Sequence, residues 1–203
     1  EPSVEHVLPI GKVPMTDEDG KLYGMPVNLE GYGFVYNKDL FEEAGITEPP
    51  ATIDELKDAA KKLEAKKITP FSAGYGEWWV IGQHLLNIPF AQQEDPDAFI
   101  AGLYDGSEKI VGNEKFKQFK EVLDAELKYA NDNPLTTDYN TQVTLFASGE
   151  TAMLQQGHWS ENMITEINPE INMGFLPIPL SNDDSAARLP VGAAGGRRCR
   201  RRP

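Results

Sequence analysis

Three features of the 203-residue chain predict the α/β class with helix-rich connections. Short stretches alternating apolar and polar residues are separated by longer segments with one apolar face, the mixed order of α/β proteins. Hydrophobic residues make up 40% and charged residues 25%. That mixture fills a core, and no run approaches the ~20 apolar residues of a membrane helix. No repeat appears at any period, and nothing before residue 193 is of low complexity.

The elements follow in order. Residues 1–20 read as irregular, interrupted by Pro2, Pro9 and Pro14, with Asp17-Glu18-Asp19-Gly20 as a turn. Lys21 to Leu29 alternates as a strand whose Pro26 marks an edge or end. Gly31 to Tyr36 is a second extended stretch, bent by Gly31 and Gly33. Asn37 caps a short helix that stops at Gly45. After Pro49-Pro50, Thr52 and Glu55 form a capping box for a helix with Ile53, Leu56, Ala60 and Leu63 on one face. Thr69 to Ala73 is a short strand, and Glu77 begins a helix through Leu86. Asp95-Pro96 opens another helix, with proline at its favoured first position. A long helix spans about 113–130 with a stripe of Phe116, Phe119, Leu123 and Leu127. A further helix runs from Tyr139 to Ala147 and closes at Gly149. Residues 151–155 and 171–175 are strands with a helical piece between them.

Charge narrows the function. Lys and Arg total 19 against 32 Asp and Glu, and five of the arginines lie within residues 197–202. Residues 1–192 therefore carry 14 basic and 32 acidic groups, a net charge of -18. A body that acidic repels phosphate, which speaks against nucleic acid as a partner. The single cysteine, Cys199, sits among those arginines, so no disulfide framework or cysteine metal site is available. The cysteine-free body suits a life outside a bacterial cytoplasm. The abrupt change to Gly, Ala and Arg over residues 193–203 reads as a non-native basic tail produced by a lost reading frame, expected to carry no regular structure.

Catalytic and metal signatures do not emerge. His6, His84 and His158 are scattered, with no metal-ligand spacing, no glycine loop leads into a Lys-Ser or Lys-Thr pair, and no serine occupies a nucleophile elbow. No cofactor is called for. What stands out is a set of segments in order: Asp19-Gly20-Lys21-Leu22-Tyr23-Gly24-Met25-Pro26, Tyr36-Asn37-Lys38-Asp39-Leu40-Phe41-Glu42-Glu43-Ala44-Gly45-Ile46, Pro49-Pro50-Ala51-Thr52-Ile53-Asp54-Glu55-Leu56, Phe146-Ala147-Ser148-Gly149-Glu150-Thr151-Ala152-Met153, Gly157-His158-Trp159 and Gly174-Phe175-Leu176-Pro177. Over residues 19–192 this order resembles the extracellular solute-binding proteins of carbohydrate ABC transporters, the family of the maltose-binding protein.

The resemblance implies a type II periplasmic-binding-protein-like fold of two α/β lobes, with ligand held between them and a hinge crossed several times. Such proteins are about twice this length, so the chain is expected to be truncated at both ends and to start, at Glu1, within a longer coding sequence. Residues 1–33 are then a remnant of lobe one and a hinge crossing, 34–180 are lobe two, and 181–192 return toward lobe one. The implied activity is binding of a sugar or oligosaccharide and its delivery to a membrane permease, without catalysis. The implied location is the periplasm or cell exterior, where a lipid anchor is compatible.

A sugar site needs flat aromatic faces for the apolar side of a pyranose and carboxylates or amides for its hydroxyls. The resemblance carries a ligand-contacting role to Glu30 and an acid-x-aromatic step to Glu77-Trp78-Trp79. Helical spacing puts Trp78 with Ile81 and Leu85 on a core face and turns Trp79 about 100° away, toward Gln83. Trp159, in Gly-x-Trp, corresponds to an aromatic ring on the cleft floor in this family. Glu30, Glu77, Trp79 and Trp159 are thus the ligand candidates, with Tyr32, Tyr75 and His158 as secondary contacts. Two rival readings are a polyamine or other cationic solute in the same scaffold and a glycoside hydrolase using Glu30 and Glu77.

Overall fold

The computed structural model describes residues 9–12, 15–17, 19–22, 24, 28–183 and 191–194. Residues Asn28–Asn37 form one ten-residue strand, β1, where two extended stretches were expected. Neither Gly31 nor Gly33 takes a positive φ. Both stay in the ladder, opposite Val191 and Gln156. A sheet with the order β2-β3-β1-β4 grows on it from Thr69–Ser72 (β2), Thr151–Gly157 (β3) and Met173–Leu176 (β4). β2 runs parallel to β3, and β3 and β4 run antiparallel to β1.

The described residues fall into two units. The smaller holds those up to Gly31 and the strand Val191–Ala194 (β5). In it, Asn28, Leu29, Glu30 and Gly31 pair with Ala194, Ala193, Gly192 and Val191. The turn expected at residues 17–20 is closed by the Gly20 N–H donating to the Asp17 carbonyl at 3.0 Å. The strand expected from Lys21 is not continuous: Leu22 makes an isolated bridge with Thr16, and regular pairing begins at Asn28. Ala193 and Ala194 correct the expectation that regular structure ends at Gly192. Ladder bonds use only the backbone, so the change in side-chain composition does not interrupt them. Residues 195–203, with all the tail arginines, and residues 184–190 lie outside the described residues.

The larger unit takes in the residues from Tyr32 to Asp183. Alternation along β1 sorts its side chains by face. Tyr32, Phe34 and Tyr36, opposite Gly157, Gln155 and Met153, point to one side, and Val35, opposite Leu154, to the other. The first face is covered by helix α2 (Ile53–Ala65), a π-helical segment (Val80–Leu85), α3 (Asn87–Ala91) and α5 (Glu114–Lys128). The second is covered by α6 (Tyr139–Ala147) and α7 (Glu161–Ile167), through Val143, Phe146, Ala147 and Ile164. Phe34, Phe71, Leu56 and Phe146 are among the fully buried side chains, each contributing roughly 1.5–3 kcal/mol by leaving water.

Local chemistry explains the element ends. The Asn37 carboxamide oxygen accepts from the Asp39 and Leu40 N–H groups and starts α1 (Lys38–Glu43), and Gly45 leaves it with φ +71°. The capping box of α2 forms in both directions, Glu55 N–H to Thr52 Oγ1 and Thr52 N–H to Glu55 Oε2. Asp95 caps α4 (Pro96–Asp105).

Helix α3 lies where no element was expected, and α5 presents a different face from the expected one. Helix α3 carries Pro89, but within the first turn, where a missing N–H costs no intrahelical bond. In α5 the buried stripe is Phe119, Val122, Ala125 and Glu126, rotated from the expected one, and Leu127 is 43% exposed. Phe116 turns instead to Phe90 and Phe99, with ring centroids 5.0 and 6.2 Å away.

Candidate functional site, a wall of aromatic rings

The site grows from the end of the β1–β3 ladder in the larger unit. Tyr32 lies directly opposite Gly157, the last residue of β3. The chain then turns through His158–Ser160, and the Ser160 hydroxyl donates back to the Gly157 carbonyl at 2.8 Å. This turn folds the Trp159 indole down over Gly157, so closely that a Cβ there would lie 1.9 Å from its Cζ3 atom. Only glycine leaves room for the ring.

The facing rings come from the π-helical segment. Its turn is one residue wider than an α-turn, and the Leu86 N–H reaches the Ile81 carbonyl at 2.9 Å. Residues five apart therefore stack: Val80 and Leu85 are both fully buried, and Trp79 meets His84 edge-on with centroids 5.1 Å apart. This corrects the α-helical reading. Trp78, expected in the core with Ile81 and Leu85, is 76% exposed, and His84 rather than Gln83 joins Trp79.

His84 is the centre of the wall. Its imidazole stacks on the Tyr32 ring (5.0 Å, 17° between planes) and lies 4.9 Å from the Trp159 ring. Trp79 also reaches Tyr139, at the start of α6, at 5.6 Å. Trp79, His84, Tyr139 and Trp159 are all half-buried. Tyr32 lies beneath them, its hydroxyl accepting from the Asn87 side-chain amide at 2.7 Å. Burial raises the Tyr32 hydroxyl to about 12, with the Asn87 hydrogen bond opposing, and lowers His84 to about 4.

The remaining candidates are placed differently. Glu77 is half-buried, two residues before Trp79. His158 is exposed, its ring 6.4 Å from that of Trp159. Tyr75 is buried in the interior, donating its hydroxyl to Glu126 Oε2. It serves as an anchor there: its N–H and that of Gly76 donate to the Pro134 and Thr137 carbonyls, pinning the loop that leads into the π-helical segment. Burial pushes the Glu126 carboxyl up to about 7 against the Tyr75 hydrogen bond, and Glu126 Oε1 has no partner. Glu30 belongs to the smaller unit, half-buried and paired with Gly192.

Sequence reasoning missed His84, Tyr139 and Gln155. Gln155 lies on the Tyr32–Gly157 face two residues before Gly157, buried with both amide atoms unpartnered. The signal that could have found His84 is its five-residue spacing from Trp79, meaningful only once the turn is known to be π-helical. Among the described residues no cluster of His, Cys, Asp or Glu is arranged to hold a metal ion. Chemically, the wall offers aromatic faces and few charges, suited to the apolar face of a ligand with polar edges.

Comparison with known proteins agrees in fold and family. The profile of the bacterial extracellular solute-binding proteins matches residues 5–196. A Brucella abortus protein named only as a binding protein is 31% identical over 87% of this chain and 40% of its own. The melibiose/raffinose/stachyose-binding protein MelE of Bacillus subtilis is 25% identical over 81% of this chain and 39% of its own. Among solved structures, a chitin oligosaccharide binding protein superposes with a TM-score of 0.69 and 30% identity, covering 87% of this chain and 45% of that one. The chain thus spans about two fifths of the length of the curated relatives it matches. Motif order, the mixed sheet with helices on both faces and these likenesses lead to one assignment: the chain belongs to the bacterial extracellular solute-binding proteins.

Proposed function

We propose that this chain contributes the sugar-contacting wall of a carbohydrate-binding protein that works outside the cytoplasm and delivers its ligand to the permease of an ABC importer. The observation that carries the reading is the convergence of Trp79 and Trp159, from distant parts of the sequence, on one half-buried wall around His84. Two relatives named for sugars, the melibiose/raffinose/stachyose-binding and chitin oligosaccharide binding proteins, support a sugar or oligosaccharide as ligand. They favour it over a polyamine. The protein binds and releases without catalysis, as its family of binding proteins suggests. Residues 34–180 serve as the second lobe, residues 1–33 and 181–192 as crossings to a first. A lipid anchor is compatible with this role. Glu77 supplies an acceptor for sugar hydroxyls, with Tyr32 backing the wall and His158 at its rim; Glu30 is a ligand candidate of the smaller unit by itself.

The test is calorimetric titration of an oligosaccharide panel into the full-length protein that carries this sequence. Trp159→Ala is expected to weaken binding by roughly 1–3 kcal/mol, typical of an aromatic contact removed from a desolvated site. Unchanged affinity removes Trp159 from the site, and no binding to any sugar overturns the carbohydrate reading.

A further inference from the structure

His84 is placed as a ligand-binding residue would be, though nothing in its sequence neighbourhood marks it. The ring is held by Tyr32 at 5.0 Å, Trp79 at 5.1 Å and Trp159 at 4.9 Å. Its Nδ1 is buried and has no partner, and its Nε2 has no hydrogen-bond partner among the described residues. A neutral imidazole carries one proton, on one nitrogen or the other. On Nδ1 it would be an N–H sealed among aromatic rings with no acceptor, the rarest kind of buried polar group in native proteins. The favoured tautomer leaves only a lone pair sealed and puts the proton on Nε2.

We infer that His84 determines specificity in this wall: its Nε2–H is an uncharged donor that hydrogen-bonds one oxygen of the sugar lying against Trp79 and Trp159. The inference rests on the carbohydrate reading above and deepens it, because a fixed donor selects which hydroxyl faces the wall. Burial supports it by keeping the ring neutral near pH 7. An uncharged donor suits a neutral hydroxyl, and it offers nothing to an ammonium ligand, which has no acceptor. A site built to hydrogen-bond a hydroxyl rejects the analogue lacking it, because the protein group is then left unpaired.

Two measurements test this. In the full-length protein, the best oligosaccharide of the panel and its single-deoxy derivatives are titrated against the parent and His84→Phe, which keeps a ring and removes the donor. The parent is expected to bind one deoxy derivative on the order of tenfold more weakly than the intact sugar. His84→Phe should lose a similar factor for the intact sugar and no longer distinguish that derivative. A variant that binds the intact sugar undiminished, or discriminates as the parent does, overturns the inference while leaving the carbohydrate reading standing. A parent that binds no sugar overturns both. The second measurement needs no variant: nitrogen-15 imidazole spectra should show Nε2 protonated in the free protein and shifted by the sugar. Protonation at Nδ1, or a resonance the sugar does not move, refutes it.

Discussion

Substituting Gly157 with alanine isolates the packing that places Trp159. An alanine Cβ would lie 1.9 Å from Cζ3 and 2.3 Å from Cε3 and Cη2 of the indole. Carbon atoms rest about 3.5–4.0 Å apart, so the ring must withdraw by about 2 Å. The backbone contributes no cost of its own, since φ -103° and ψ 176° are extended values any residue adopts. Overpacking of this kind costs about 1–3 kcal/mol. Gly157→Ala should therefore destabilise by about 1–3 kcal/mol in urea melts followed by tryptophan fluorescence, and alter the near-ultraviolet circular dichroism. Repeating the substitution in a Trp159→Ala background should remove most of the cost, because the clashing ring is gone. A single variant with unchanged midpoint and aromatic dichroism, or an equal cost in both backgrounds, refutes the packing of Trp159 on Gly157.

Glu126→Gln should stabilise the protein selectively above neutral pH. The Glu126 pKa is raised from 4.5 to about 7, so its contribution is fully present below 4.5 and lost as pH rises through 7, by about 3 kcal/mol. The difference between parent and variant melts over that window reads it directly. His84 has the opposite sign: with its pKa lowered from 6.5 to about 4, its contribution is present above 6.5 and lost as pH falls toward 4. His84→Phe should flatten the stability profile in that acidic window. Trp78→Ala should cost less than about 0.5 kcal/mol, as an exposed side chain does, while Trp79→Ala should cost roughly 2 kcal/mol. Equal losses for the two tryptophans in urea melts would contradict the π-helical phase.

The helices were legible wherever a side chain states the boundary itself. Asn37, Thr52 with Glu55, and Asp95 each accept a backbone N–H at a helix start, and such caps are local enough to be read from sequence. Trp79 and Trp159, singled out by their motifs, do come together around His84. The failures share a physical origin in tertiary context. The phase of the segment after Glu77 depends on one extra residue per turn, which no propensity records, so Trp78 was assigned to the core and Trp79 turned toward Gln83 rather than His84. Tyr75, between two glycines, looks like an exposed contact, yet a carboxylate fifty-one residues later draws it inward. The rotated stripe of α5 reflects the same limit: its pattern fits two faces, and packing against α3 and the sheet chooses one.

The π-helical turn also bears on how this wall can vary among related proteins. It amounts to an α-helix with one residue inserted between Trp79 and His84. Gly82 is exposed, and a Cβ there would meet only Trp78, at 3.9 Å, so this is where an extra residue is most easily carried. Deleting Gly82 would bring His84 to four positions after Trp79, the ordinary α-helical neighbour, and preserve the ring pair. Alignments that match this stretch column by column will therefore pair His84 with the wrong position in any relative one residue shorter. Side chains of the wall can then be exchanged by insertion and deletion as well as by substitution.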